Sequence, residues 1–276
     1  MNVSIVVPAY NSERHLRECL ESLFKFKGDG DEVVVVDDAS TDSTSRIAQD
    51  YDCMVHRLEV NRGPGFARLF GQEKAENKIT VFIDSDVVVE PETIRRVKTA
   101  FKNDSEVSAV VGLLSKKTPA GGFYSSYKNL YMNYIFHYCP REIDFLYGSI
   151  FAAKKGSLKD TRINKRWGED TESGLLLADD GGRIILDDGI QVIHLKEYGF
   201  RSLISNDYNI SRSFTKLFLK KRGWARLLEK KRFSHTRIQQ LASISLTWLS
   251  ILALFFSIQL FLTLLAATII RSEERR

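Results

Sequence analysis

The chain has 276 residues, 43% of them hydrophobic and 27% charged, with a formal net charge of +5. That length allows one large domain or two small ones, and the composition excludes bulk disorder. Cys19, Cys53 and Cys139 are odd in number and widely spaced, which argues against a disulfide framework or a zinc knuckle and fits a reducing compartment.

The N-terminal "MNVSIVVPAYN" has no basic leader and reaches Pro8 early, so we expect no signal peptide and a first strand at Val3 to Val7. Leu16, Cys19, Leu20, Leu23 and Phe24 then recur at helical spacing, with Asn11 or Ser12 as the expected N-cap. "EVVVVDDAS" gives a second apolar strand and "TDSTSRIAQDY" a short capped helix. "CMVHRL" reads as a strand, "GFARLFGQEKAE" as a helix and "ITVFI" as a fourth strand. Pro91 sits at the first turn of "PETIRRVKTAF", whose Ile94, Val97 and Phe101 share one side, and "VSAVVGL" is another strand.

The second half is less regular. In "GGFYSSYKNLYMNYIFHY", Phe123, Tyr127, Tyr131, Tyr134 and Tyr138 fall on one helical face. We expect that helix to pack on the sheet, in preference to forming an acceptor platform. "FLYGSIFAAKK" reads as a strand, and "WGEDTESGLLLADDGG" as a loop and then a helix ending at Gly181 or Gly182. "RIILDD" and "QVIHL" read as two further short strands.

Strands that are apolar throughout and alternate with helices predict an α/β fold, a Rossmann-like, mostly parallel sheet with helices on both faces. Ligands of such sheets bind beyond the carboxyl ends of the strands. Asn11, Asp37, Asp38, Asn61, Asp84 and Asp86 all fall just past strand ends and converge on one edge.

The charge is uneven. Nine Lys or Arg and one acid, Glu229, lie between Lys216 and Arg237, so the remainder of the chain is net acidic. Next come 30 residues without a charge, Leu241 to Ile270, where a membrane-spanning helix needs only about 20. We expect a catalytic domain at 1–215, a basic juxtamembrane amphipathic segment at 216–237, and a transmembrane helix with a short tail at 238–276. In the amphipathic segment Phe218, Trp224, Leu227 and Leu228 are expected towards lipid. Nine basic residues before the apolar run against three Arg in the tail predict a single-pass protein with a cytoplasmic catalytic domain.

"VFIDSDVVVEP" places Asp84 and Asp86 on the same side of an extended chain, where two anions repel unless a cation lies between them. Mg²⁺ commonly binds through one or two carboxylates plus substrate phosphates.

With "VSIVVPAYN", "VVVVDDAST", "NRGPGFAR", "FIDSDVVVEP", "YGSIFAAKK", "WGEDTE" and "VIHL" in that order, the chain resembles a family 2 glycosyltransferase with a GT-A fold over about residues 3 to 200. The resemblance implies a nucleotide-diphosphate sugar donor and a Mg²⁺ or Mn²⁺ cofactor. It makes Asp84 and Asp86 the metal-binding pair, with Ser85 beside the donor and His194 as a further metal or phosphate ligand. Pro8, Ala9, Tyr10 and Glu13 match the first nucleotide-contacting loop, Asp38 the residue that contacts the base, and Arg68 an arginine near the base or phosphates. Asp170 matches the catalytic base and Glu169 its neighbour that orients the acceptor or loop. The QxxRW signature of processive relatives is missing, which argues against polymer synthesis.

The implied activity is inverting transfer to a hydroxyl acceptor, lipid- or glycan-linked, at the cytoplasmic membrane face, with no nucleic-acid partner. A polyprenyl-phosphate acceptor is the enzymatic alternative, and a non-catalytic nucleotide-sugar-binding membrane protein the alternative of another class.

Overall fold

The computed structural model describes residues 1–119, 121–159, 168–220, 254–259 and 263. The chain divides into two units, Met1–His235 and Thr236–Arg276. The second contains a helical stretch at 254–259. Among the described residues no helix is long and apolar enough to cross a membrane. The expected span at 241–270 and the amphipathic segment from 221 onward lie outside the described residues, apart from 254–259 and 263.

In the first unit β1 (Ser4–Ala9), β2 (Glu32–Asp37), β3 (Met54–Arg57) and β4 (Ile79–Ile83) form a parallel half-sheet. Their Val and Ile runs have no polar face because helices cover both sides. α1 (Leu16–Phe26), α2 (Thr44–Gln49) and α3 (Pro64–Lys74) are the crossovers. α3 lies close on β1 because Gly71 has no side chain; a Cβ there would sit 2.4 Å from Val6 Cγ1.

The second half is mixed. β5 (Val87–Val89) leads to α4 (Thr93–Asn103) and β6 (Val107–Leu114). α5 (Phe123–His137), β7 (Glu142–Ile143) and β8 (Ile150–Lys154) follow, then α6 (Glu169–Asp179), β9 (Arg183–His194) and α7 (Phe200–Lys220). Strand order is β3-β2-β1-β4-β8-β6-β9-β5, with β7 also on β9. β8 runs antiparallel between β4 and β6, and Phe82 stacks on Phe151 across it at 4.6 Å.

Several local expectations need correction. α1 starts at Leu16, not at Asn11 or Ser12, because the Ser12 carbonyl first accepts the His15 and Leu16 amides in a turn. The two expected short strands are one, β9, whose register with β6 shifts between Val111 and Leu113 and so carries the chain through "DDG" without a break. β5 and β7 are too short to show as runs. The aromatic face of α5 does not pack on the sheet. Phe123, Tyr127, Tyr131, Tyr134 and Tyr138 are exposed, while Ser125, Asn129, Met132, Asn133 and Phe136 face inward. Inward-facing Asn133 donates to the Leu114 carbonyl at 2.7 Å.

Candidate active site

The carboxyl ends of β1, β2 and β4 open a cleft of about 370 Å³. Pro8, Ala9, Tyr10, Asp38, Asp84, Ser85 and Asp86 line it, as do Asn61, His15 and Lys196. Ser12 and Ser85 share a hydroxyl hydrogen bond of 2.7 Å that ties the β1 loop to the β4 loop. Glu13 is exposed and outside the lining; its carboxylate accepts the Ser43 amide at 3.0 Å. Asp37 is fully buried and accepts the Ser40 amide at 2.8 Å, holding the turn after β2. Asp38 accepts the Arg62 and Gly63 amides at 2.7 and 2.8 Å, one on each oxygen. It therefore braces the entry to α3 as well as lining the cleft. Burial pushes its carboxyl above the usual range, against the pull of those two amides.

Arg68 is buried in this site, with a side chain only 7% exposed. Its Nη2 donates to Asp84 Oδ1 at 2.6 Å and its Nη1 to Glu169 Oε1 at 2.8 Å. One guanidinium thus joins the end of β4 to the start of α6. The same Nη2 reaches the Gly148 carbonyl at 3.4 Å, and the Gly148 amide donates to Asp170 Oδ2 at 2.7 Å. Burial opposes the charge on Arg68, but Asp84, Glu169 and Asp170 hold its pKa above the usual arginine value.

The two residues of the acidic pair on α6 differ in access. Glu169 is buried; Asp170 is half-buried and also accepts the Thr171 amide at 2.7 Å. Gly168, at φ 83, turns the chain into the helix so that both carboxylates sit at its positive end. Burial, then the nearby Asp170, raise the Glu169 carboxyl to about 7 although Arg68 opposes them. A carboxyl raised in the folded state stabilises the fold most below its unfolded value, and that contribution is lost as pH rises through the folded one. Stability should therefore decline from about pH 4.5 to about pH 7 in part through this group. Urea midpoints across that window should fall less steeply in Glu169→Gln; an unchanged slope would remove Glu169 from the account.

Gly148 has no room for a side chain. A Cβ would lie 2.9 Å from Arg68 Nη2 and 3.2 Å from Asp170 Oδ2. Arg68 Nη2 is held on Asp84 and Asp170 Oδ2 on the Gly148 amide, so Gly148→Ala should lower the unfolding midpoint as it displaces them. Turnover should fall by up to about 10², the scale of an ångström-sized misplacement. Wild-type turnover in that variant would contradict this geometry.

At the other end of the cleft, β5 pairs Val87 with His194 of β9, which brings the imidazole to Asp86. His194 Nε2 lies 3.6 Å from Asp86 Oδ2. Its Nδ1 is buried and has no partner among the described residues. Burial alone would raise the Asp86 carboxyl, but His194 and Lys196 outweigh it and hold it at about 2. Burial raises the Asp84 carboxyl, Arg68 opposes that, and Asp86 adds to it.

The donor set fits a divalent ion that is completed by a ligand. Asp84 and Asp86 are each 31% exposed on the cleft, and Asp84 Oδ2 and Asp86 Oδ1 accept no hydrogen bond from the described residues. No group of three or more His, Cys, Asp and Glu that could hold a metal ion occurs among the described residues, so His194 does not join Asp84 and Asp86 as a third ligand. Two carboxylates open to a phosphate-bearing ligand suit Mg²⁺ or Mn²⁺ better than a structural zinc.

Lys196, His15 and Gly148 were not singled out from sequence. Lys196 directly follows "VIHL", a single basic residue without a pattern around it. Gly148 became visible only with its two neighbours in place.

The family model described as glycosyl transferase family 2 matches residues 4–162. The chain is 42% identical over 102 residues to the poly(ribitol-phosphate) beta-N-acetylglucosaminyltransferase TarS of Staphylococcus aureus, covering 34% of this chain and 18% of that protein. It is 33% identical over 113 residues to the dolichol-phosphate mannosyltransferase of Pyrococcus furiosus, covering 39% of this chain and 32% of that one. The chain therefore spans a third or less of these relatives' length. The structure is similar to S. aureus TarS 1–349 in complex with UDP-GlcNAc, at TM-score 0.53 and 27% identity, over 74% of this chain and 61% of that one. It also shares its fold with the mannosyltransferase PcManGT from Pyrobaculum calidifontis, solved with GDP-Man and Mn²⁺. There the TM-score is 0.58 at 21% identity, over 78% of this chain and 64% of that one.

Proposed function

The chain belongs to glycosyl transferase family 2, and from that premise we propose that it is a metal-dependent, inverting glycosyltransferase. It takes a nucleotide-diphosphate sugar as donor and a lipid- or glycan-linked hydroxyl as acceptor, at the cytoplasmic face of a membrane. The observation that carries this reading is the Arg68 bridge. It holds Asp84 of the cleft and Glu169, beside Asp170, on one guanidinium, so donor-side and acceptor-side carboxylates share a site.

Asp84 and Asp86 would hold Mg²⁺ or Mn²⁺, which would supply positive charge to the donor diphosphate, and His194 lies 3.6 Å from Asp86. Pro8, Ala9 and Tyr10 frame the nucleotide, and Asp38 offers carboxylate lone pairs to the base or ribose. Asp170 takes the acceptor's proton as the hydroxyl attacks, and the two amides on its oxygens fix its orientation. Glu169, buried on Arg68, keeps that loop in place.

A relative named for dolichol phosphate favours the phosphate-acceptor alternative. A phosphate is already ionised and needs no base, so the fixed, half-exposed Asp170 favours a hydroxyl. Membrane attachment rests on the 30-residue uncharged run and the basic stretch before it.

A thermal-shift screen of UDP-, GDP- and dTDP-sugars with Mn²⁺ tests the donor class. A true donor at a hundredfold excess over its dissociation constant should stabilise the protein by about 2.7 kcal/mol. No shift with any of them, and no donor hydrolysis, would leave the proposal without support. For topology, a C-terminal tag should resist protease in sealed vesicles whose cytosolic face is outward; ready digestion would contradict the orientation.

A further inference from the structure

The outward face of α5 is an apolar surface outside the cleft. Phe123 is 76% exposed and Tyr134 60%. The rings of Phe123 and Tyr127 stack at 6.4 Å, and those of Tyr127 and Tyr131 at 5.9 Å, with interplanar angles of 16° and 14°. They line an open groove of about 420 Å³ with Leu130 and no charged residue.

α7 extends this surface. Phe200, Ile204 and Tyr208 recur every fourth residue and are all exposed. Tyr124 meets Phe200 at 5.8 Å, and Lys128 pairs with Asp207 at 2.5 Å, so the two helices are held together. Apolar patches that stay exposed at this density mark an interaction surface.

Three features point to the occupant. Tyrosines dominate the stripe, and such rings suit a boundary that is apolar on one side and wet on the other. α7 ends at Lys220, inside the stretch of nine basic residues that suits anionic headgroups. The chain then enters the 30-residue uncharged run. We propose that the α5–α7 aromatic face is a membrane-docking surface that rests in the interface of an anionic bilayer. This rests on the membrane reading above and adds to it the side of the catalytic unit that faces lipid. It also sets the cleft. The Tyr198 amide donates to Ser125 of α5 at 2.9 Å, and the Tyr198 ring lies 6.1 Å from His194, so the stripe begins beside the metal-binding end. A lipid-carried acceptor would then meet the cleft at the bilayer surface.

The test uses the full chain with Cys53→Ser and Cys139→Ser, in vesicles of phosphatidylcholine and phosphatidylglycerol. Single cysteines are introduced as Tyr127→Cys, Ile204→Cys and Asp52→Cys, the last beside the edge strand β3 as control, and each carries an environment-sensitive fluorophore. Emission from positions 127 and 204 should shift to the blue and be largely lost to nitroxide-bearing lipids, while the label at 52 keeps its aqueous emission. If a variant does not fold, as judged by its unfolding midpoint, Tyr134→Cys reports on the same stripe. Floating protein whose label at 127 stays as aqueous as that at 52 overturns the docking surface and leaves the membrane reading intact. Protein that fails to float overturns both. Shielding of position 127 by soluble oligosaccharide, without nitroxide quenching, also overturns the proposal, in favour of a carbohydrate platform.

Discussion

Asp86→Asn should reduce sugar transfer to background, a loss of about 10³-fold or more for a metal contribution of several kcal/mol. It should also weaken nucleotide-sugar binding. Wild-type Asp86 is held ionised near pKa 2 by His194 and Lys196, against the effect of burial, so the anion is present at every physiological pH. The asparagine keeps the shape and loses the charge, while the donor diphosphate keeps its own. Lys196 remains in the cleft and retains part of the affinity. Calorimetric titration of a UDP-, GDP- or dTDP-sugar with and without Mn²⁺ separates the two contributions. Full activity of the wild type in excess EDTA would sink the metal assignment.

Asp170→Asn should do the opposite to binding. Donor affinity should stay nearly intact because Asp170 makes no hydrogen bond to the nucleotide loops among the described residues, whereas turnover should fall by about 10² to 10⁴. The amide side chain can still accept one of the two backbone N–H groups now on the carboxylate, so the start of α6 is preserved. Its remaining nitrogen opposes the other amide, and a modest drop in melting temperature is expected. Weakened donor binding with normal turnover would move Asp170 out of the base role. A phosphate acceptor predicts a far smaller loss, so the same variant discriminates between the two acceptor classes.

The parallel half-sheet was readable because "SIVVPA", "EVVVVD" and "ITVFI" are apolar on both faces, a pattern that only a covered sheet satisfies. Asp84 and Asp86 stood out for the converse reason: charge follows such a run only where the chain leaves the core. The partners of those residues were not readable. Arg68 meets Glu169 across 101 positions of sequence, and no periodicity encodes that contact. On α5 the pattern misled. Aromatic spacing shows that a face is apolar, not which neighbour covers it, and the inward face mixes Met132, Ile135 and Phe136 with polar residues, because Asn133 and Lys128 find the Leu114 carbonyl and Asp207 there. The same limit applies at Ser12, a good N-cap residue whose hydroxyl is instead bound to Ser85.

The Arg68 fork bears on how the enzyme can be re-engineered. Acceptor preference in such a fold invites loop exchange, in which the segment around Gly168 to Thr171 is taken from a relative and the cleft is left untouched. Here the graft would carry one half of an ion pair whose other half stays in α3, with Asp84 on its second arm. A loop without a carboxylate at position 169 would leave the buried Nη1 of Arg68 without its partner while Asp84 still pairs Nη2, at a cost of about 1–3 kcal/mol. Lysine at 68 would not rescue it, since a single ammonium cannot replace two divergent N–H donors. Chimeras of this scaffold therefore need to be cut so that positions 68, 84, 148 and 169 come from the same parent.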